Sequence, residues 1–217
     1  RIEYKKHPIL LNYFDKLPLC HARWFSNYTW SPPSAFDLGI KPQCNKLIFL
    51  GRISKMKGID ILLQVAKQLP DNLAIELYGL LQDGYTEEYI NRMGRGIIIY
   101  KGVLDREEVQ QRLRDYDALV LPTFWNGEGY PGAIIEAYAY GLPVITCNWR
   151  AIPEIVDNTS GILIPTQNID ALAEAICRLH TDTSLFHKLQ VGAIEKALLF
   201  DSKKWKDMFA DMCLELL

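Results

Sequence analysis

Long apolar runs are missing from this sequence. None of its 217 residues fall in anything close to the twenty or so consecutive apolar positions of a membrane-spanning helix. An excess of either charge is missing too. Lys and Arg number 24 against 26 Asp and Glu, a formal net charge of -2, so no basic field draws nucleic acid or acidic membranes. Histidine is scarce, and His7, His21, His180 and His187 show no ligand spacing with cysteine or with one another, which supports neither a zinc site nor a Ser/His/Asp arrangement. The five cysteines, Cys20, Cys44, Cys147, Cys177 and Cys213, include no close Cys-x-x-Cys pair and suit reduced thiols in a cytoplasm. Signal peptide and initiator Met are both lacking, and the expectation is a piece of a longer protein.

What is present is enough apolar material, 49% of the chain, to bury a full core. From Lys46 onward the pattern is regular. Leu47 to Leu50 reads as a strand, the loop 51 to 58 follows, and Ile59 to Leu69 reads as a helix. Strand Ala74 to Tyr78, a polar loop around Asp83-Gly84, strand Ile97 to Tyr100, helix Arg106 to Tyr116 and strand Ala118 to Leu121 come next. A Gly/Pro turn and an apolar helix lead to strand Pro143 to Cys147, a short helical piece Pro153 to Val156 and strand Gly161 to Ile164. Three helices beginning near Ile169, Ser184 and Ser202 close the chain, the last with an apolar stripe of Trp205, Phe209, Met212 and Leu216. Such alternation predicts an α/β fold, a Rossmann-like parallel sheet flanked by helices on both faces. Residues 1 to 44, rich in aromatics and proline but without a period, are expected to be an irregular lead-in or interdomain segment. The Rossmann-like domain is expected over 45 to 200, with 201 to 217 a terminal helix.

Parallel sheets of this kind bind ligands at the carboxyl ends of their strands, and the two loops richest in charge and glycine both follow strands. In Gly127-Glu128-Gly129-Tyr130-Pro131-Gly132-Ala133-Ile134-Ile135-Glu136-Ala137, two carboxylates stand eight positions apart across a turn that opens a helix. Glu128 falls where the backbone reads as loose. Pro131 at a first helical position, with Gly132 beside it, leaves the first N–H groups of that helix free for an anion. Glu136, on a largely apolar helix, needs a partner, and a sugar or ribose hydroxyl can be one. Arg52 and Lys57, a fork donor and a point charge on one loop, suit a diphosphate. Lys101-Gly102-Val103-Leu104-Asp105 reads as a turn and helix cap. Asp115-Tyr116-Asp117 mimics the Asp-x-Asp of metal-dependent sugar transferases but sits at a helix-to-strand junction, and is read as a decoy.

In this order, Gly51-Arg52 through Lys57-Gly58, Glu128-Gly129-Tyr130-Pro131 through Glu136-Ala137, Gly141-Leu142-Pro143-Val144-Ile145, Pro153-Glu154-Ile155 and Gly161-Ile162-Leu163-Ile164-Pro165 resemble the carboxyl-terminal half of GT-B retaining glycosyltransferases, closest to the glycosyl-transferases group 1 family (family 4). The resemblance covers about residues 45 to 217. It implies that Arg52 and Lys57, beside Gly51, hold the diphosphate of a nucleotide-sugar donor, and that the main chain of Gly129, Tyr130, Pro131 and Gly132 touches sugar and phosphate. It further implies that Glu128 binds hydroxyls of the transferred sugar, Glu136 the ribose, and the main chain near Val103 the base. Arg52, Lys57 and Glu128 are thereby the expected catalytic set, with no cofactor and no metal required. The acceptor, a glycan or glycolipid, is expected to be read by an amino-terminal domain missing here, at the inner face of a membrane if it is lipid-linked. Trp149-Arg150-Ala151 stand where the family often has Gly-Gly. Two alternatives stay open: a separate nucleotide-sugar-binding subunit that recruits a catalytic partner, and a glycoside hydrolase using Glu128 and Glu136.

Overall fold

The computed structural model describes residues 39–214, and of residues 212–214 only the backbone. The lead-in aromatics of residues 1–38 and Leu216 of the terminal stripe lie outside the described residues. Six strands form one sheet: β1 (Lys46–Leu50), β2 (Ala74–Tyr78), β3 (Ile98–Tyr100), β4 (Ala118–Leu121), β5 (Val144–Cys147) and β6 (Gly161–Ile164). Every pairing is parallel, in the order β3-β2-β1-β4-β5-β6. Leu47, at the centre of the sheet, pairs with Ile75 on one side and Ala118 on the other. Parallel strands are covered on both faces, which is why β1, β4 and β5 read as unbroken apolar runs rather than alternations. The α/β, Rossmann-like reading of the sequence is the fold observed.

Among the described residues seven α-helices flank the sheet: α1 (Ile59–Val65), α2 (Glu87–Met93), α3 (Arg106–Leu113), α4 (Gly132–Ala139), α5 (Ile169–Thr181), α6 (Thr183–Ala197) and α7 (Ser202–Leu214). Side-chain caps set several of the starts. Asp105 and Glu108 form a reciprocal capping box on α3, and Asn168 and Asp182 cap α5 and α6. Two expected helices prove shorter, α1 ending at Val65 rather than Leu69 and α3 at Leu113 rather than Tyr116. The short helical piece is a 3-10 turn over Ile152–Glu154. Helix α2 lies where a polar loop was expected. It buries only Ile90, so its apolar periodicity is faint, and Thr86 starts it by accepting the Tyr89 N–H.

The described end of the lead-in is latched to this domain. Lys41 donates to the carbonyls of Arg114 and Tyr116 and pairs with Asp117 at 3.5 Å, while the buried His180 ring meets the Cys44 carbonyl at 2.7 Å. Asp117 also accepts the N–H groups of Asn45 and Lys46, so the Asp-x-Asp decoy does a structural job. At the far end Trp205 is buried and its indole N–H donates to the Leu199 carbonyl at 2.8 Å, which ties the start of α7 to the 3-10 turn Leu198–Phe200 before it.

Candidate active site

Strands β1 and β4 are neighbours, yet the chain leaves them in opposite directions, toward β2 and toward β5. Their outgoing loops therefore part at the carboxyl edge and leave a crevice, the position where open parallel sheets hold ligands. Gly58 lets the first loop close against the second. Its φ of +81° is left-handed, and a Cβ there would stand 2.2 Å from the Pro122 carbonyl oxygen. The Phe124 N–H in turn donates to the Met56 carbonyl at 2.9 Å.

On the charged side of the crevice, Lys57 ends a 3-10 turn and is buried, with its Nζ 2.5 Å from Glu128 Oε2. The same carboxylate oxygen accepts the Thr123 hydroxyl at 2.6 Å, and Glu128 is 4% exposed. The backbone expected to be loose at Glu128 is instead fixed, since its N–H donates to the Trp125 carbonyl at 3.0 Å. Two buried opposite charges in contact offset each other's burial, and removal of either strands the other. Arg52 is exposed and forms neither a hydrogen bond nor an ion pair with any described residue. Its guanidinium lies 4.8 Å from the centroid of the Trp125 ring, and Lys57 Nζ lies 5.1 Å from the same centroid.

Pro131 is the residue before α4 rather than its first residue. The N–H groups of Gly132 and Ala133 donate to no described residue, leaving a helix start with two donors and the positive end of its dipole. Tyr130 donates its hydroxyl to Glu154 at 2.7 Å, which ties the turn to the 3-10 piece after β5.

On the other side of the crevice a cleft of about 310 Å³ is lined by Gly51, Tyr78, Gly79, Val103, Ala133 and Glu136, among others. Its walls are the ends of β1 and β2, the turn after β3 and the first turns of α4. Val103 is exposed and held before the capping box of α3. Glu136 receives no hydrogen bond from any described residue. Burial pushes its carboxyl pKa upward, and the charge of Arg106 only partly opposes this.

The expected residues thus form two groups. Arg52 and Lys57 come together at Trp125, with Glu128 on Lys57, while Gly51, Val103 and Glu136 come together in the cleft. Sequence reasoning missed Trp125 and Thr123, although an aromatic next to Asn126-Gly127 in a loop between strand and helix was a legible signal. Among the described residues, no group of three metal-ligating side chains gathers, and no helix is long and apolar enough to cross a membrane.

Comparison with known proteins agrees with this geometry. Residues 44–182 match the family model described as glycosyl transferases group 1. The chain is 29% identical over 150 residues to the putative colanic acid biosynthesis glycosyltransferase WcaL of Escherichia coli, covering 63% of this chain and 37% of that protein. The chain thus spans well under half the length of this curated relative. Among solved structures it is similar in fold to the pneumococcal O-GlcNAc transferase GtfA in complex with UDP and GlcNAc, with a TM-score of 0.68 and 24% identity, over 88% of this chain and 38% of that one. It is also similar to the C-terminal domain of the glycosyl transferase group 1 family protein LpcC from Francisella tularensis, with a TM-score of 0.59 and 24% identity, over 73% of this chain and 86% of that one. With the match covering more than half of its residues, the chain belongs to the glycosyl transferases group 1 family, and its sheet is that of a GT-B glycosyltransferase.

Proposed function

We propose that this chain is the donor-binding, carboxyl-terminal domain of a retaining glycosyltransferase that moves a sugar from a nucleoside-diphosphate sugar to a polysaccharide or glycoconjugate acceptor. The observation that carries the reading is the pairing of an uncommitted cation with an uncommitted carboxylate across one crevice. Among the described residues Arg52 has no acceptor and Glu136 no donor, the N–H groups of Gly132 and Ala133 are free, and Ala133 lines the same cleft as Glu136 and Gly51, the residue before Arg52. A nucleotide supplies what each lacks: ribose hydroxyls for Glu136, phosphate oxygens for Arg52 and the helix start, and a base for the main chain at Val103.

The transferred sugar then lies toward Glu128, with the Gly129 to Gly132 main chain beside it. When the sugar leaves, negative charge grows on the diphosphate oxygen. Arg52, Lys57 and the α4 amides are already aimed at that charge and lower the barrier without reorganising. The Glu128 contact holds Lys57 in place while burying it. The acceptor attacks from the face the diphosphate leaves, a phosphate oxygen takes its proton, and cationic side chains do the work a metal would otherwise do. No cofactor enters this scheme. An amino-terminal domain supplies the acceptor site, for a glycan or glycolipid. The colanic acid pathway in the name of the Escherichia coli relative is the kind of setting proposed, with the reaction in the cytoplasm at the inner face of the membrane.

Calorimetric titration with UDP, GDP and ADP in the absence of metal tests the reading. One nucleotide is expected to bind at about micromolar strength, and Arg52→Ala to weaken it about tenfold. Binding of none of the three, or undiminished binding by Arg52→Ala, contradicts it.

A further inference from the structure

Trp125 is placed as no ordinary surface aromatic would be. Its ring lies on the β4 loop, yet two of the three basic residues of the β1 loop sit against it, Arg52 at 4.8 Å and Lys57 at 5.1 Å from the centroid. The negative face of an indole attracts both cations. Two like charges brought to one place repel each other, and the attraction of each to the same ring offsets part of that repulsion.

The backbone that carries the indole is itself fixed. The Trp125 carbonyl accepts both the Trp149 indole N–H at 2.9 Å and the Glu128 N–H at 3.0 Å. Gly127 completes the seat: a Cβ added there would stand 2.6 Å from ring atom Cζ2, so the ring packs where any other residue would project. The ring also holds Arg52 in a particular way. With the guanidinium carbon 4.8 Å from the ring centroid, none of the Arg52 donors is engaged by a described residue. Lys57, by contrast, already has Glu128.

We propose that Trp125 is a positioning residue for the diphosphate: its indole carries the Arg52 guanidinium across the crevice to the side of Lys57 and presents the free donor edge to the phosphates. The inference rests on the donor-site reading above. It makes the β4 loop a partner of the β1 loop in binding the leaving group, although Trp125 itself need not touch the nucleotide.

Two measurements test it. The first, on the free chain, is the NMR chemical shift of the Arg52 Hδ protons, expected upfield from ring current in wild type and in Trp125→Phe and near random-coil values in Trp125→Leu. The second compares UDP, GDP or ADP, whichever wild type binds, with the matching nucleoside. Trp125→Leu is expected to weaken the diphosphate about tenfold and leave the nucleoside unchanged, while Trp125→Phe, which retains a ring face, stays within about threefold of wild type. Gly127→Ala, which displaces the ring, follows Trp125→Leu. Added to Arg52→Ala, Trp125→Leu costs less than about twofold more, since the two act as one unit. An Arg52 shift at random-coil values in wild type, equal losses for nucleoside and diphosphate, or full additivity with Arg52→Ala overturns the inference and leaves the donor reading standing. An upfield Arg52 shift with no nucleotide bound removes the donor reading, and the positioning role with it.

Discussion

Glu128 and Glu136 sit eight residues apart on one turn and helix, and the fold treats them oppositely. Glu128 is 4% exposed with its charge matched by Lys57 and a second hydrogen bond from Thr123. Glu136 is less deeply buried, yet no described residue donates to it, and burial raises its pKa. One carboxylate is matched within the protein, and on the proposed reading the other is left for a ligand. The difference separates preorganisation from recognition. Glu128 fixes a cation before any substrate arrives, whereas Glu136 carries a cost of burial that only a bound hydroxyl removes.

Breaking the finished pair gives the largest effect. Glu128→Ala leaves Lys57 buried without a counter-charge and is expected to lower stability by about 3–5 kcal/mol in urea unfolding. Replacing both partners together, as Lys57→Met with Glu128→Leu, recovers most of that loss while abolishing nucleotide-diphosphate binding. A double replacement as unstable as the single one would mean that Glu128 acts through the turn geometry rather than through charge.

Next in size is the loop closure beneath both. Gly58→Ala must strain a left-handed φ and push a Cβ into the Pro122 carbonyl, and a loss of about 1–3 kcal/mol is expected, with weaker diphosphate binding because Lys57 shifts. Unchanged stability there would show that the two loops are not held together at this point.

The smallest effect has the opposite sign. A carboxyl whose folded pKa is raised binds its proton more tightly in the folded state than in the unfolded one. The stability this gives is complete below the unfolded value, near 4.3 for Glu, and is lost as pH rises through the elevated folded value. Glu136→Gln therefore gains on wild type as pH rises to neutrality, by up to about 1 kcal/mol in the absence of ligand. Asp157 supplies the contrast. Burial alone would raise it, but Lys196 at 2.7 Å and the Thr159 hydrogen bonds hold it near about 2. Its contribution is present above the unfolded value and is lost only as pH falls toward 2. Thermal melts across pH 3 to 8 should show the two trends running against each other, and parallel trends would contradict the assignment.

Much of this was legible before the structure. Strands Ala74–Tyr78, Ala118–Leu121 and Gly161–Ile164 have the limits the apolar runs suggest, because strands buried on both faces carry a strong local signal. Helix α2 was missed because only Ile90 turns inward, leaving capping by Thr86 as its main mark. In the site, Arg52, Glu136 and the start of α4 were readable because loops after parallel strands fall on one edge. The commitment of Glu128 was not. It depends on Lys57, 71 residues away, and on Thr123, contacts that no periodicity encodes. Trp125 was overlooked for the same reason, since its partners come from the opposite loop.

The most direct test of an unfinished carboxylate awaiting a ribose is the affinity of wild type, Glu136→Ala and Arg52→Ala for the preferred nucleoside diphosphate and for its 2′,3′-dideoxy form. Wild type is expected to favour the ribonucleotide by about tenfold or more. Glu136→Ala should erase that preference, while Arg52→Ala weakens both forms together and preserves it. A Glu136→Ala protein that still distinguishes the two as wild type does would contradict the account.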